Sequence, residues 1–471
     1  MNSMKEAKAN RRVPGRKKKG LCQQDRPLIE PNAAGVDVGA REMYVAISPD
    51  RDSEPVRVFL TFTADLEALV QWLLERGITT VAMESTGVYW IPLYQMLEDR
   101  GIRVCLVNAR HMKNVPGRRT DWHECQWLQY LHATGLLRAA FRPEQDVCAV
   151  RTLLRHRNDL IKIAAQHVQH MQKALTQMNL QIHHIISDIT GLTGLAIIDA
   201  ILAGERDPGK LADLRHPSIH ADEGAIRKSL QGDWREEHLF TLKQSRQMYT
   251  QYRSSIAACD EKIVELVGAF EPKVDIEVKP LPPHVGPSRK RRTKRTGDFR
   301  FDPRTEAYKL FGVDITRIPG LNELAIPIFS EVGRNLAARF PSADHFASWL
   351  GLCPDNDKSG GQVLWTGVRR VNNRTAQMFR IGASSLHHNR SRLGDFLRRM
   401  KAKLGPAAGI TATAHKLAII FYTVVTKQVE YDDSIWSARD AQRQKRFEQK
   451  LKRQARQLGY ELVLVQAARV P

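Results

Sequence analysis

What the chain lacks narrows it first. Its 471 residues hold only 6 cysteines. These are Cys22, Cys105, Cys125, Cys148, Cys259 and Cys353, and no two of them form a CxxC pair. Thiols scattered in this way exclude a zinc ribbon and a disulfide framework, and they suit a reducing cytosol. No run of roughly eighteen or more apolar residues is found, so no membrane span is expected. The Lys/Arg-rich N-terminus has no apolar segment behind it, which excludes a secretory signal. Acid is scarce relative to base: 51 Asp+Glu against 72 Lys+Arg leaves a net charge of +21. That excess sets up a positive field that attracts polyanions, nucleic acid being the commonest.

What remains is ordinary globular composition, 42% hydrophobic and 26% charged. The length suits two to four domains. Residues 1–30 are a Lys/Arg block with Gly and Pro, read as a mobile basic arm. From Ala33 the pattern turns α/β. Strands are expected at Gly35–Val38, Met43–Ile47, Val56–Thr61, Thr79–Met83 and Val104–Val107, with helices over Asp65–Glu75, Tyr89–Arg100 and from Thr120. Strand-strand-strand-helix-strand-helix-strand-helix is the order of a ribonuclease-H-like, or RuvC-like, mixed sheet, here over residues 31–145.

Four acids punctuate this region. Asp37 interrupts the first strand, where burial of a carboxylate demands hydrogen bonds, a cation or a metal; alternatively it caps the turn before Gly39. Glu84 ends the fourth strand, beside the first in such folds. Asp121 and Glu124 share one face at the start of the last helix, where they also favour the helix dipole. Carboxylates converging from two strands and a helix repel unless divalent cations neutralise them. Two magnesium ions about 3.5–4 Å apart would do so and would activate in-line attack on a phosphodiester. A basic loop containing Lys113, Arg118 and Arg119 lies between the fifth strand and that helix.

From Val150 to Ile185 apolar residues alternate three- and four-residue steps, broken only by Arg157. This predicts a coiled-coil seam, with Glu236–Leu266 as the return arm of a helical domain over 146–272. His167, His170, His183 and His184 fit a solvated or RNA-facing surface better than a metal site. Residues 273–305 shift to proline and then to Arg289, Lys290, Arg291 and Arg292, a linker able to neutralise phosphates. Within 306–430, Ile318-Pro319-Gly320-Leu321 has the form of a helix-hairpin-helix turn facing phosphate. In Lys358-Ser359-Gly360-Gly361 the hydroxyl of Ser359 is unobstructed, with Arg369, Arg370 and Arg374 placed to hold flanking phosphates; the same tetrapeptide also reads as a plain turn. Residues 431–471 form an exposed basic helix.

GVDVG at Asp37, AMESTGVYW at Glu84, GRRTDWHECQW at Asp121 and Glu124, and GLCPDNDKSGG at Ser359 follow one another as they do in the DEDD transposases of bacterial insertion sequences. The chain resembles that family over about residues 30–430. The resemblance implies a RuvC-like catalytic domain, a coiled-coil dimerisation domain and a mostly helical C-terminal domain carrying a catalytic serine, Ser359. It implies a magnesium-dependent recombinase that joins donor and target double-stranded DNA through a phosphoserine. It also implies guidance by a structured non-coding bridge RNA, and a homodimer assembling to a homotetramer, so that Ser359 meets the carboxylates of another protomer. Glu124 stands where the family usually has aspartate, and the extra methylene moves the carboxylate by about 1.5 Å. Two other readings stay open: a RuvC-like Holliday-junction endonuclease using activated water, and an actin-like ATPase. The ATPase would need a second Gly-rich phosphate loop, and none is convincing.

Overall fold

The computed structural model describes residues 27–85, 87–108, 120–283, 297–322, 324–432 and 437–461. The chain divides into two compact units, Met1–Arg142 and Pro143–Pro471.

The first unit opens with β1 (Ala33–Val38), β2 (Glu42–Ala46) and β3 (Val56–Leu60), then α1 (Thr63–Glu75), β4 (Thr80–Glu84), α2 (Trp90–Asp99), β5 (Arg103–Val107) and α3 (Asp121–Ala133). The strands form one mixed sheet in the order β3-β2-β1-β4-β5. The first three make an antiparallel meander, while β4 and β5 run parallel to β1. Two faces follow from the alternation along each strand. Val36 and Val45 bury against Leu69, Leu73, Leu93 and Leu97 of α1 and α2. The opposite face carries α3. Gly35 explains how closely: a Cβ there would stand 2.3 Å from both the Cys125 carbonyl oxygen and the Gln129 nitrogen. Only hydrogen fits beneath that helix backbone. At the far end of α3 the Thr80 hydroxyl meets His132 Nε2 at 2.8 Å, both residues being buried.

The second unit begins with α4 (Gln145–Gln177), then α5 (Ile182–Ile185), α6 (Leu192–Leu202), α7 (Pro208–Asp213), α8 (Glu223–Ser229) and α9 (Glu236–Gly268). Helices α4 and α9 lie antiparallel: Val150 and Leu154 share a core with Ile263 and Val267, Arg157 pairs with Asp260, and His167 stacks on Tyr252. Each has 33 residues, about 50 Å of helix. The helix expected to run unbroken to Ile185 stops earlier. Asn179 takes a left-handed φ of 57°, which ends α4, and Ile182 and Ile185 belong to a separate short helix. Apolar spacing carried across the break because Met178, Leu180 and Ile182 are all buried in the same cluster. His170 and His184 are exposed as expected, but His167 and His183 are half-buried, the first ring stacking on Tyr252 and the second packing against His184.

The chain continues through α10 (Pro303–Phe311), α11 (Ala325–Val332), α12 (Leu336–Arg339), α13 (Ala343–Trp349), the hairpin β6 (Asp357–Ser359) and β7 (Gln362–Trp365), α14 (Arg374–Ser385), α15 (Arg392–Leu404), α16 (Pro406–Lys427) and α17 (Ser437–Gln457). Phe311, Phe329, Phe346, Phe379 and Phe421 make an aromatic centre that also encloses Val150 and Leu154 of α4. Two expectations change here. The spacer read over 273–305 is already packed by residue 299, because Phe299 and Phe301 lie against this core. The Gly320 turn (φ 93°) is half-buried and packs against α14, where a Cβ would meet the Gly382 carbonyl oxygen at 2.5 Å, so this side of its backbone is turned to a helix. Helix α16 is long and apolar enough to cross a membrane, although no unbroken apolar run marks it, because Thr, Ala and Gly separate its large side chains. Its Leu417, Ala418 and Phe421 are fully buried in the core, which makes it a core helix.

Candidate active site

The register of the sheet sets the four acids. Val36 pairs with Met83 across β1 and β4, so Asp37 and Glu84 come next on adjacent parallel strands, side by side. Asp37 has the parity of Gly35, and Glu84 that of Thr80, so both carboxylates leave the sheet on the α3 side. Helix α3 runs antiparallel to β1: Gln129 Nε2 donates to the Ala33 carbonyl, and Cys125 lies over Gly35. Its N-terminus, with Asp121 and Glu124, therefore comes down over the end of β1 that holds Asp37. Thr120 caps it, accepting from the His123 amide at 3.4 Å.

Electrostatics tie these groups together. Cys125 is buried, and that burial, with a smaller contribution from the charges of Asp37 and Asp121, pushes its thiol up to about 12. Tyr44 is the register partner of Asp37. Its hydroxyl donates to Glu42 Oε2 at 3.1 Å, which raises its pKa first, and Asp121 and Asp37 raise it further. Two different side chains thus sense the same pair of carboxylates. Glu84 is 7% exposed, Glu124 half-buried and Asp121 exposed, giving a site open on the helix side. Among the described residues no three His, Cys, Asp or Glu side chains are gathered closely enough to hold an ion by themselves. Asp37 and Glu84 adjoin at the ends of β1 and β4, while Asp121 and Glu124 stand at the start of α3 and are not drawn into one donor set with them.

Ser359 belongs to the second unit. It ends β6 and pairs with Gln362 across a two-residue turn, Gly360-Gly361, with φ of 56° and 81°. Two consecutive positive φ values are those of a type I′ hairpin turn, for which Gly is suited at both positions. The turn reading of this tetrapeptide and its exposed hydroxyl are therefore both present. Arg369, Arg370 and Arg374 are exposed; Arg369 donates to the Ser348 carbonyl at 2.6 Å, and Arg374 opens α14 behind its cap Asn373. Lys113, Arg118 and Arg119, the run Arg289, Lys290, Arg291 and Arg292, and the side chain of Lys358 lie outside the described residues.

Two family models match the chain. One, a transposase model of the IS110 DEDD type, covers residues 34–180; the other, described as transposase IS116/IS110/IS902 family, covers residues 314–397. The chain belongs to the IS110 family of DEDD transposases. No curated protein matches it. The first match includes Asp37, Glu84, Asp121 and Glu124, and the second includes Ser359, Arg369, Arg370 and Arg374. This IS110-family transposase is thus a DNA-cleaving and rejoining enzyme of an insertion sequence.

Sequence reading passed over Trp122. It stands next to Asp121 and is 45% exposed, against a groove along β3. The signal available was the run of alternate apolar residues Val56, Val58 and Leu60, followed by Phe62, on a strand whose position at the sheet edge appears only in three dimensions.

Proposed function

We propose that this transposase exchanges DNA strands through a phosphoserine formed at Ser359, using magnesium held by Asp37, Glu84, Asp121 and Glu124. The supporting observation is the row in which Asp37 and Glu84 adjoin on neighbouring strands beneath the N-terminus of α3. Magnesium keeps much of its water and binds through one or two carboxylates plus substrate phosphate, so an open pair of carboxylates suits it better than a cage. When bound, it polarises the scissile phosphate and offsets the charge of the attacking and leaving oxygens. Glu124, half-buried on α3, would reach that pair with the longer arm that replaces the family's aspartate.

In this reading the Ser359 Oγ attacks phosphorus after losing its proton to a carboxylate. An Oγ–P bond forms, a P–O bond to deoxyribose breaks, and the leaving oxygen takes up a proton as a hydroxyl. The ester conserves the bond energy, so the joined strand is made by the reverse step on a new hydroxyl. The carboxylates come from a neighbouring protomer of a homodimer that assembles to a homotetramer. A structured guide RNA selects the donor and target duplexes by base pairing, and the basic residues of the chain hold the phosphates of both.

The test is a denaturation-resistant protein–DNA adduct. Ser359→Ala abolishes the adduct while leaving copurifying RNA bound, and Asp37→Ala or Glu84→Ala abolishes magnesium-dependent cleavage. Wild-type recombination by Ser359→Ala sinks the serine assignment. Cleavage by the native protein without any adduct makes water the nucleophile, as in a junction endonuclease.

A further inference from the structure

The row of residues that starts with Glu84 and Asp37 continues across the sheet. Asp37 pairs with Tyr44, and Tyr44 pairs with Val58 on β3. Register partners share a face, so Val58 lies on the α3 side, two strand spacings or about 10 Å from Asp37. There it meets an open groove of about 720 Å³ lined by Val56, Val58, Trp122 and Gln126, with Glu54 among its remaining residues. Val58 and Trp122 are 43% and 45% exposed, an apolar surface with an aromatic face beside a candidate ligand.

The charge of the groove indicates which part of a nucleic acid it suits. Among the described residues its one cation, Arg57, is engaged elsewhere: it pairs with Asp52 at 3.2 Å and stacks over Trp72 on the other face of the sheet. Glu54 would repel a phosphate but can accept from an exocyclic amino group, and the Gln126 amide can both donate and accept. Among the described residues the groove thus offers a flat aromatic surface with two such polar groups, which suits the face and edge of a nucleobase.

We infer that Trp122 stacks on an unpaired base of the strand being cut and so positions its phosphate at Asp37 and Glu84. The inference rests on the proposed function for the location of the scissile phosphate, but its test is binding and not cleavage. Full-length protein without magnesium is mixed with single-stranded DNA of mixed sequence carrying 5-iodouracil at successive positions, at salt high enough to weaken phosphate contacts. Irradiation then links the base to its stacking partner, mapped by mass spectrometry.

The expected result is an adduct at Trp122, lost in Trp122→Ala, with affinity down about tenfold, as for loss of one stacked base. Trp122→Phe keeps most of the affinity. No adduct at Trp122, or unchanged binding by Trp122→Ala, overturns the inference even if Asp37 proves essential for cleavage. Because β3 is a sheet edge, a strand of a second copy could dock there instead. In that case Trp122→Ala changes the sedimentation of the protein and leaves the crosslinks unchanged, which also overturns it. Failure of the proposed function would show separately, as cleavage that survives loss of Asp37.

Discussion

Arg157 and Asp260 face each other inside the α4–α9 pair, Nε to Oδ1 at 2.6 Å, with side chains 3% and 1% exposed. The pair also reaches backbone. Arg157 donates to the carbonyls of Gly297 and Asp298 and lies over the Phe299 ring, and Asp260 accepts from the Arg300 amide at 3.2 Å. One ion pair therefore fixes both the partner helix and the point where the chain re-enters after the basic stretch.

This gives a mutational prediction. Asp260→Ala leaves a buried guanidinium unpaired and costs about 3–5 kcal/mol. Apolar replacement of both partners is often neutral elsewhere, but here it removes three hydrogen bonds to backbone groups at or near the surface, each with a net worth of about 0.5–1.5 kcal/mol. The double variant Arg157→Met with Asp260→Leu should thus remain destabilised by about 1.5 kcal/mol or more. Denaturant unfolding measures this, and hydrogen exchange at Arg300 should speed up in both variants. A double variant as stable as the wild type would show that the backbone contacts contribute nothing.

The same pair marks what sequence could and could not deliver. Arg157 stood out as the one break in a regular apolar series, yet its partner lies 103 residues away and has no local signature. The five strands were readable because β-branched runs bounded by glycine have few alternatives, and the parallel β1–β4 neighbourhood followed from their order. Gly35 was visible as a glycine in an apolar strand, but the reason for it, a helix backbone at 2.3 Å, comes from tertiary packing. The overlong helix shows the converse. Burial continued the helical spacing past Met178 while the backbone had already turned at Asn179. Of the candidate site, residue types and order were legible; the shared face of Asp37 and Glu84 needed the register, and Trp122 needed the sheet edge.

His132 supplies a pH prediction for the first unit. Burial holds its pKa below the ordinary 6.5, with Arg103 acting in the same direction and Glu30 against. Below about pH 6.5 the unfolded chain takes up a proton that the folded imidazole refuses, so the unfolded state binds more protons and stability falls as pH falls. The unit's thermal midpoint should drop as pH is lowered from 7 to 5. His132→Gln, which can keep a polar atom near the Nε2 position opposite Thr80, should flatten that slope. An unchanged slope in the variant would assign the acid sensitivity to other groups.

The last prediction concerns the turn that presents Ser359. With φ of 56° and 81°, Gly360 and Gly361 both occupy the left-handed region. Asn-Gly is the favoured pair for a type I′ turn, so Gly360→Asn should leave the hairpin and adduct formation unchanged. Gly361→Val forces a β-branched residue into that region at a cost of about 1–3 kcal/mol, which the turn can escape by opening. The side chains of β7 are exposed from Gln362 to Trp365, so the rest of the fold has little stake in the hairpin, and global stability should change by no more than about 0.5 kcal/mol. The Ser359 hydroxyl moves with the turn. Because a displacement of about 1 Å can cost on the order of a hundredfold in rate, adduct formation by Gly361→Val should fall by about that factor with its melting curve intact. Equal adduct rates in the two variants would mean that the position of the hydroxyl, and with it the nucleophile assigned to Ser359, is not what limits the reaction.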